Sequence, residues 1–163
     1  MYNLFKFVLA ISSLSLFWVI YFVKSREYIL LSMLIPLISI LIVLQLMKFL
    51  SKDDIKKGYI VEIKNVSNQF LPNYLGYFFI ALSINNGDYL TMIIISGMIL
   101  IFLFVSQHNY FNPLFLILGY NFYDIKTKNG KSLLLISKSE KLSEKGEEKI
   151  TTYRINDFTF IEI

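Results

Sequence analysis

The sequence predicts an α-helical membrane protein with four transmembrane helices and a small cytoplasmic β-sheet domain, built from the central loop and the C-terminal tail. Long apolar runs fill the first two-thirds of the 163-residue chain, and a lysine-rich tail follows them. Hydrophobic residues make up 55% of the chain, above the share of about 45–50% in soluble domains. We expect residues 1–112 to form the membrane region and residues 113–163 to form the β-domain.

Four apolar runs are expected to form the membrane helices, at about 4–23, 28–50, 68–84 and 89–107. An α-helix rises about 1.5 Å per residue, so about 20 apolar residues cross the hydrocarbon core of roughly 30 Å. The first, second and fourth runs reach or approach that length. The third is short, since Phe70–Ile84 covers only about 22 Å. It must begin earlier, tilt little or thin the bilayer.

The basic residues predict that both termini lie in the cytoplasm. The loop between the second and third helices contains four lysines and the tail contains most of the others, whereas only Lys24 and Arg26 fall on the opposite side. The positive-inside rule therefore favours a cytoplasmic loop and tail. The turn-rich segment Asn85–Asp88 then lies outside, between the third and fourth helices.

Polar residues at the cytoplasmic ends of the third and fourth helices form the first candidate site. They are Asn68, Gln69, Asn73, Gln107 and His108. Amides at membrane depth need hydrogen-bond partners, so these side chains could form a polar ring at the mouth of an oligomeric bundle. The alternative is that they are ordinary interfacial residues beyond the helix ends.

The tail is predicted to form β-strands, joined by a hairpin turn at Asn129-Gly130, which is a strong short-range hairpin signal. The expected strands are Phe115–Lys126, Leu133–Ser137, Ile150–Ile155 and Phe158–Ile163. Alternating apolar residues at 59–64 predict a fifth strand, from the central loop. A lone hairpin is marginal in water, so we expect this strand to pair with the tail and help to close a small sheet or partial barrel.

Lysines around the hairpin form the second candidate site, a partner-binding surface. They are Lys126, Lys128, Lys131, Lys138 and Lys141. Positive charge at this place would steer an acidic partner surface. The same charge could instead meet anionic lipid headgroups, and both interpretations remain open.

The sequence contains none of the motifs that carry catalysis or hold a cofactor. The chain has no cysteine and one histidine, His108, without an acid–base partner nearby in sequence. Metalloprotease, nucleophile-elbow and phosphate-binding glycine patterns are missing. We therefore expect a non-enzymatic protein with no cofactor, no metal and no direct binding of nucleic acid.

A stretch after the fourth helix resembles a known family. Asn112-Pro113-Leu114 is followed by Gly119-Tyr120, by Tyr123 and by the hairpin. Together with the layout of four helices and a cytoplasmic tail, this pattern resembles KwaA, the membrane subunit of the bacterial Kiwa anti-phage defence system. The resemblance implies a homo-oligomeric, multi-pass sensor of the cell inner membrane that works with a cytosolic effector acting on phage DNA.

Three functions follow from these observations. The first is a sensor or scaffold that signals to, or holds, a cytosolic effector. The second is an oligomeric membrane channel or pore, and the third is a membrane-disrupting toxin, against which the ordered-looking tail argues. The expected partners are further copies of the chain, the effector and membrane lipids.

Overall fold

Helices occupy most of the N-terminal two-thirds of the chain in the computed structural model, which describes residues 2–56, 60–105, 112–138 and 149–162. The long helices are α1 (Tyr2–Ser25), α2 (Ile29–Met47), α3 (Leu71–Ser83) and α4 (Tyr89–Val105), and the short helix α5 (Pro113–Ile117) follows them. A 3₁₀ turn at Ser67–Phe70 precedes α3. The third helix is thus shorter than its expected range of 68–84. Its second residue is Pro72, which suits the first turn of a helix because it has no N–H to pair.

Two helices in the described part of the chain are long and apolar enough to cross a membrane, by length and composition alone. These segments are Leu4–Ser25 and Ile29–Met47. α4 is apolar but has 17 residues, and α3 has 13. The expectation of four membrane-spanning helices is therefore supported by helix length for two of them only.

α1 lies at the centre of the helical layer and packs against each of the other three long helices. α4 runs antiparallel to it. The rings of Tyr21 and Tyr89 lie 6.2 Å apart near the start of α4, and those of Phe7 and Phe104 lie 6.3 Å apart near its end. Ala81, near the end of α3, belongs to the same buried cluster as Tyr21. The two shorter helices therefore flank the same stretch of α1.

α2 and α4 turn many large apolar side chains outward. Among the most exposed are Leu30, Leu37 and Leu41 of α2, together with Leu90 and Ile101 of α4. Soluble monomers rarely expose contiguous apolar patches larger than a few hundred Å². These faces therefore require lipid or another protein chain to cover them.

The strands of the described residues form one six-stranded sheet, in the order β1-β5-β6-β4-β3-β2. The strands are β1 (Lys52–Lys56), β2 (Ile60–Asn65), β3 (Asn121–Thr127), β4 (Ser132–Ser137), β5 (Lys149–Arg154) and β6 (Thr159–Ile161). Neighbours are antiparallel except β4 and β6. The predicted pairing of the central loop with the tail is confirmed, because β2 pairs with β3 from Ile60 opposite Thr127 to Asn65 opposite Tyr123.

Two details of the predicted sheet are wrong. Residues 115–117 belong to α5 and not to a strand, since Asn112 caps this helix and Pro113 occupies its first turn. β1 is a sixth strand that the apolar pattern does not indicate, because its sequence Lys-Asp-Asp-Ile-Lys has one apolar residue. An edge strand needs few apolar residues, and here Ile55 alone joins the core.

The sheet curls into a partial barrel. β1 and β2 lie at opposite edges of the sheet, yet only residues 57–59 separate them along the chain. A flat sheet would hold these edges about 24 Å apart at about 4.8 Å per strand, whereas the four Cα–Cα steps that link them reach about 14 Å. The edges must therefore approach each other. Every strand contributes to one apolar core, through Ile55, Ile63, Ile125, Leu135, Ile150 and Phe160.

The other face of the sheet packs against the helical layer. Phe122, Ile136 and Ile161 share a buried cluster with Phe5 and Leu9, near the start of α1. The barrel therefore lies at the N-terminal end of α1. The C-terminal end of α1 marks the far side of the helical layer.

Lys24 ties the helices together at this far side. Its ammonium group donates hydrogen bonds to the carbonyl oxygens of Leu82 (2.6 Å) and Ile84 (2.5 Å), at the end of α3. A helix C-terminus leaves carbonyl groups unpaired and carries partial negative charge, so a cation stabilises it. The carboxylate of Glu27 accepts a hydrogen bond from the hydroxyl of Tyr89. These contacts fix the α3–α4 hairpin to the end of α1.

Replacing Lys24 by methionine is expected to lower the melting temperature of the purified protein in detergent. Methionine has a similar length but cannot donate to the two carbonyl oxygens, and hydrogen bonds from charged groups contribute about 1.5–3 kcal/mol. Lys24→Arg keeps a charged donor and is the matched control. Circular dichroism melts compare the two variants, and equal melting temperatures would contradict the role of Lys24 in holding α3.

Candidate functional site

The β3–β4 hairpin carries three of the five lysines predicted to bind a partner. Its turn is closed by a hydrogen bond of 2.9 Å from the Thr127 N–H to the Lys131 carbonyl oxygen, and Gly130 adopts a positive φ of 73°. Lys128 and Lys131 are exposed at this turn. Their ammonium groups have no ion-pair partner among the described residues. Within the described part of the chain, the turn therefore presents two unpaired cations to solvent.

Lys126 differs from these two lysines because it is paired. Its ammonium group donates a hydrogen bond of 2.7 Å to the carboxylate of Glu62 on β2. The pair lowers the pKa of Glu62 and raises the pKa of Lys126. Both side chains are more than half exposed, so solvent screens the interaction. The net positive charge of the hairpin therefore comes chiefly from Lys128 and Lys131.

Lys138 lies away from the hairpin, at the other end of β4. It is seven positions from Lys131, about 23 Å along an extended strand. Its ammonium nitrogen lies 4.7 Å from the ring centroid of Tyr120, beside α5. Lys141 lies outside the described residues. The structure therefore does not gather the predicted lysines into one patch.

Two residues of the predicted polar ring, Asn68 and Gln69, are exposed in the 3₁₀ turn before α3. Asn73 falls in the first turn of α3. Gln107 and His108 lie outside the described residues. The structure thus places two of the predicted amides at the junction of the sheet and the helices, without testing the ring itself.

A half-open cavity of about 180 Å³ lies beside Gln69, on the outer face of the sheet. Its lining includes Val66, Asp124, Leu134 and Thr159. The lining holds one carboxylate, without a histidine or a second carboxylate next to it, and no group of three or more metal-ligating side chains occurs among the described residues.

Two buried polar residues hold neighbouring elements together, Asn112 at the start of α5 and Ser67 in the 3₁₀ turn before α3. The amide nitrogen of Asn112 donates to the Ser12 hydroxyl at 2.9 Å, and its amide oxygen accepts from the Leu114 N–H at 2.9 Å. The hydroxyl of Ser67 accepts from the Phe122 N–H at 3.0 Å. The Asn-Pro pair does signal a helix start, but no local pattern predicts contacts between residues so distant in sequence.

Comparison with known proteins gives one family match, and it includes both the helices and the sheet. The family model described as anti-phage protein KwaA matches residues 5–161. This range covers nearly the whole chain, from the start of α1 to the end of β6. No curated protein and no solved structure matches.

Proposed function

The chain belongs to the KwaA family of anti-phage proteins, and from this premise we propose that it is a non-enzymatic sensor and scaffold of the cell inner membrane. In this proposal four helices cross the membrane and both termini lie in the cytoplasm. The barrel beneath them holds, or signals to, a cytosolic effector.

The observation that carries the membrane placement is the outward apolar surface of α2 and α4. Lipid is a natural cover for it, and two helices already have the length and composition of membrane spans. Lysine placement supports a cytoplasmic barrel. Lys24 and Arg26 would then lie at the outer surface.

Packing supports the crossing of α3 and α4 despite their length. The end of α3 reaches Lys24 at one end of α1, and Phe104 of α4 reaches Phe7 near the other end. These contacts favour a layer in which α3 and α4 cross together with α1. The helices of 13 and 17 residues measure about 20 and 25 Å, so the bilayer must thin around them.

Homo-oligomerisation is the second part of the proposal. α1 is covered on several sides by its neighbours, whereas α2 and α4 are open along their length. Part of this open surface would pack against other copies, as small residues and polar groups in such helices permit. Native mass spectrometry in mild detergent measures the assembly, and a monomer at all concentrations would contradict it.

An oligomeric channel is the alternative function. The exposed amides of Asn68 and Gln69 at the inner end of α3 favour it, because polar side chains at that place could line a mouth. Planar-bilayer conductance separates the alternatives. The scaffold proposal predicts no ion current from the reconstituted protein.

Partner recruitment tests the scaffold proposal directly. The product of the neighbouring gene in the same operon is expressed with and without the full chain, and membranes are floated on a density gradient. We expect the partner to float with membranes only when the chain is present, since the barrel would hold it there. A partner that stays soluble in both cases would contradict the proposal.

A further inference from the structure

The short helix α5 has one buried and one exposed apolar side. Leu114 and Phe115 are buried, whereas Ile117 is 74% exposed and the following Leu118 is 38% exposed. Apolar side chains are less stable in water than in an apolar environment. The exposed pair therefore favours an apolar environment.

Contacts with α1 fix the depth of α5 in the helical layer. Asn112, at its start, bonds to Ser12, and Phe115 shares a buried cluster with Phe5 and Leu9. All three of these α1 residues belong to Leu4–Ser25, a segment able to cross a membrane. α5 therefore lies beside the inner part of that segment.

α5 begins at a different depth from the end of α4. Phe104, near the end of α4, packs against Phe7, whereas Asn112 bonds to Ser12. Ser12 lies five positions further along α1, about 7.5 Å deeper into the layer. α5 thus begins deeper than α4 ends and returns toward the barrel beside the helices.

A cation lies beside Tyr120, which follows α5 along the chain. The ring of Tyr120 packs against Phe115 with centroids 5.4 Å apart, and the Lys138 ammonium nitrogen lies 4.7 Å from the Tyr120 ring. Burial raises the pKa of Tyr120, so its ring stays neutral beneath the cation. Lysine side chains at such a boundary extend toward headgroups while their stems cover apolar surface.

We propose that α5 and Lys138 form a binding surface for an anionic phospholipid of the inner leaflet. Ile117 and Leu118 contact the acyl chains, and the Lys138 ammonium group binds the headgroup phosphate. An exposed apolar pair at the depth of a membrane span, with a cation beside the neighbouring Tyr120, matches this ligand in both polarity and charge. The inference rests on the membrane placement under the proposed function.

Spin labelling tests the apolar half of this surface. The chain has no cysteine, so Ile117→Cys creates a single site for a nitroxide in the full protein, reconstituted in phosphatidylglycerol-containing vesicles. We expect the label to be more accessible to oxygen than to a water-soluble nickel chelate. Leu37→Cys, on the exposed face of α2, is the lipid-facing control, and Lys128→Cys is the aqueous control.

The outcomes separate this inference from the membrane placement itself. Nickel access at position 117 equal to that at position 128, with position 37 still lipid-facing, would overturn the α5 proposal alone. Shielding of position 117 from both reagents would also overturn it, because another protein chain would then cover α5. Nickel access at position 37 would overturn the membrane placement, and the α5 proposal with it.

A charge reversal tests the headgroup half. Native mass spectrometry of the full protein counts phosphatidylglycerol and phosphatidylcholine retained from mixed micelles. Lys138→Glu is expected to lower retained phosphatidylglycerol about fivefold or more without changing phosphatidylcholine. Lys131→Glu, the same change at the far end of β4, should leave both unchanged. Equal retention in the two variants would overturn the role of Lys138.

Discussion

Reversal of Lys128 and Lys131 to glutamate is expected to abolish capture of the cytosolic partner that we propose, with a loss of affinity of at least about 100-fold. These two residues carry the unpaired cations of the β3–β4 hairpin. They are exposed and lie outside every helix, so membrane insertion and folding should not change. An acidic partner surface that meets four units of altered charge would be repelled.

Exchange of Glu62 and Lys126 provides the matched control. The double variant Glu62→Lys, Lys126→Glu keeps the ion pair and the net charge while it moves each charge to the neighbouring strand. Because the pair is exposed and screened, we expect capture to remain near its original strength.

The affinity of both variants for the purified product of the neighbouring gene is measured by biolayer interferometry at physiological salt. The full chain is reconstituted for this measurement. Unchanged affinity after reversal of Lys128 and Lys131 would show that the hairpin is not the partner surface. Loss of affinity in the exchanged variant alone would assign recognition to Lys126.

Apolar run length predicted the position of every long helix, and the differences lie at the ends. α2 ends at Met47 instead of near residue 50, because Lys48 and Phe49 turn back with hydrogen bonds to Gln45 and Leu46. α3 begins later than expected, because a 3₁₀ turn held by Ser67 precedes it. Hydropathy measures apolar content, which continues through such turns.

The sheet was predictable where local chemistry specifies it. The hairpin forms at Asn129-Gly130 as expected, but of this pair only Gly130 has a positive φ, so the turn is not the type I′ turn that Asn-Gly usually favours. β1 was not predictable, since its pairing with β5 joins Asp53 to Thr152 across 99 positions. The closure of the barrel depends on that pairing and on the short link to β2.

The candidate site was predictable in residue type but not in arrangement. A list of lysines along the chain does not reveal that Glu62 lies opposite Lys126, which follows from the register of β2 and β3. The same holds for Lys138, which the direction of β4 carries to the helical end of the barrel. Cross-strand register therefore decides which of the predicted cations remain available.

A topology measurement tests most directly the central claim that four helices cross the membrane above a cytoplasmic barrel. Alkaline phosphatase, active only outside the cytoplasm, is fused after Ile163 and, separately, within Asn85–Asp88 of the α3–α4 turn. We predict no activity for the first fusion and high activity for the second, because Lys24 holds the end of α3 at the outer end of α1. Inactivity of both fusions would show that the α3–α4 turn does not lie outside the cytoplasm, and activity after Ile163 would contradict a cytoplasmic barrel.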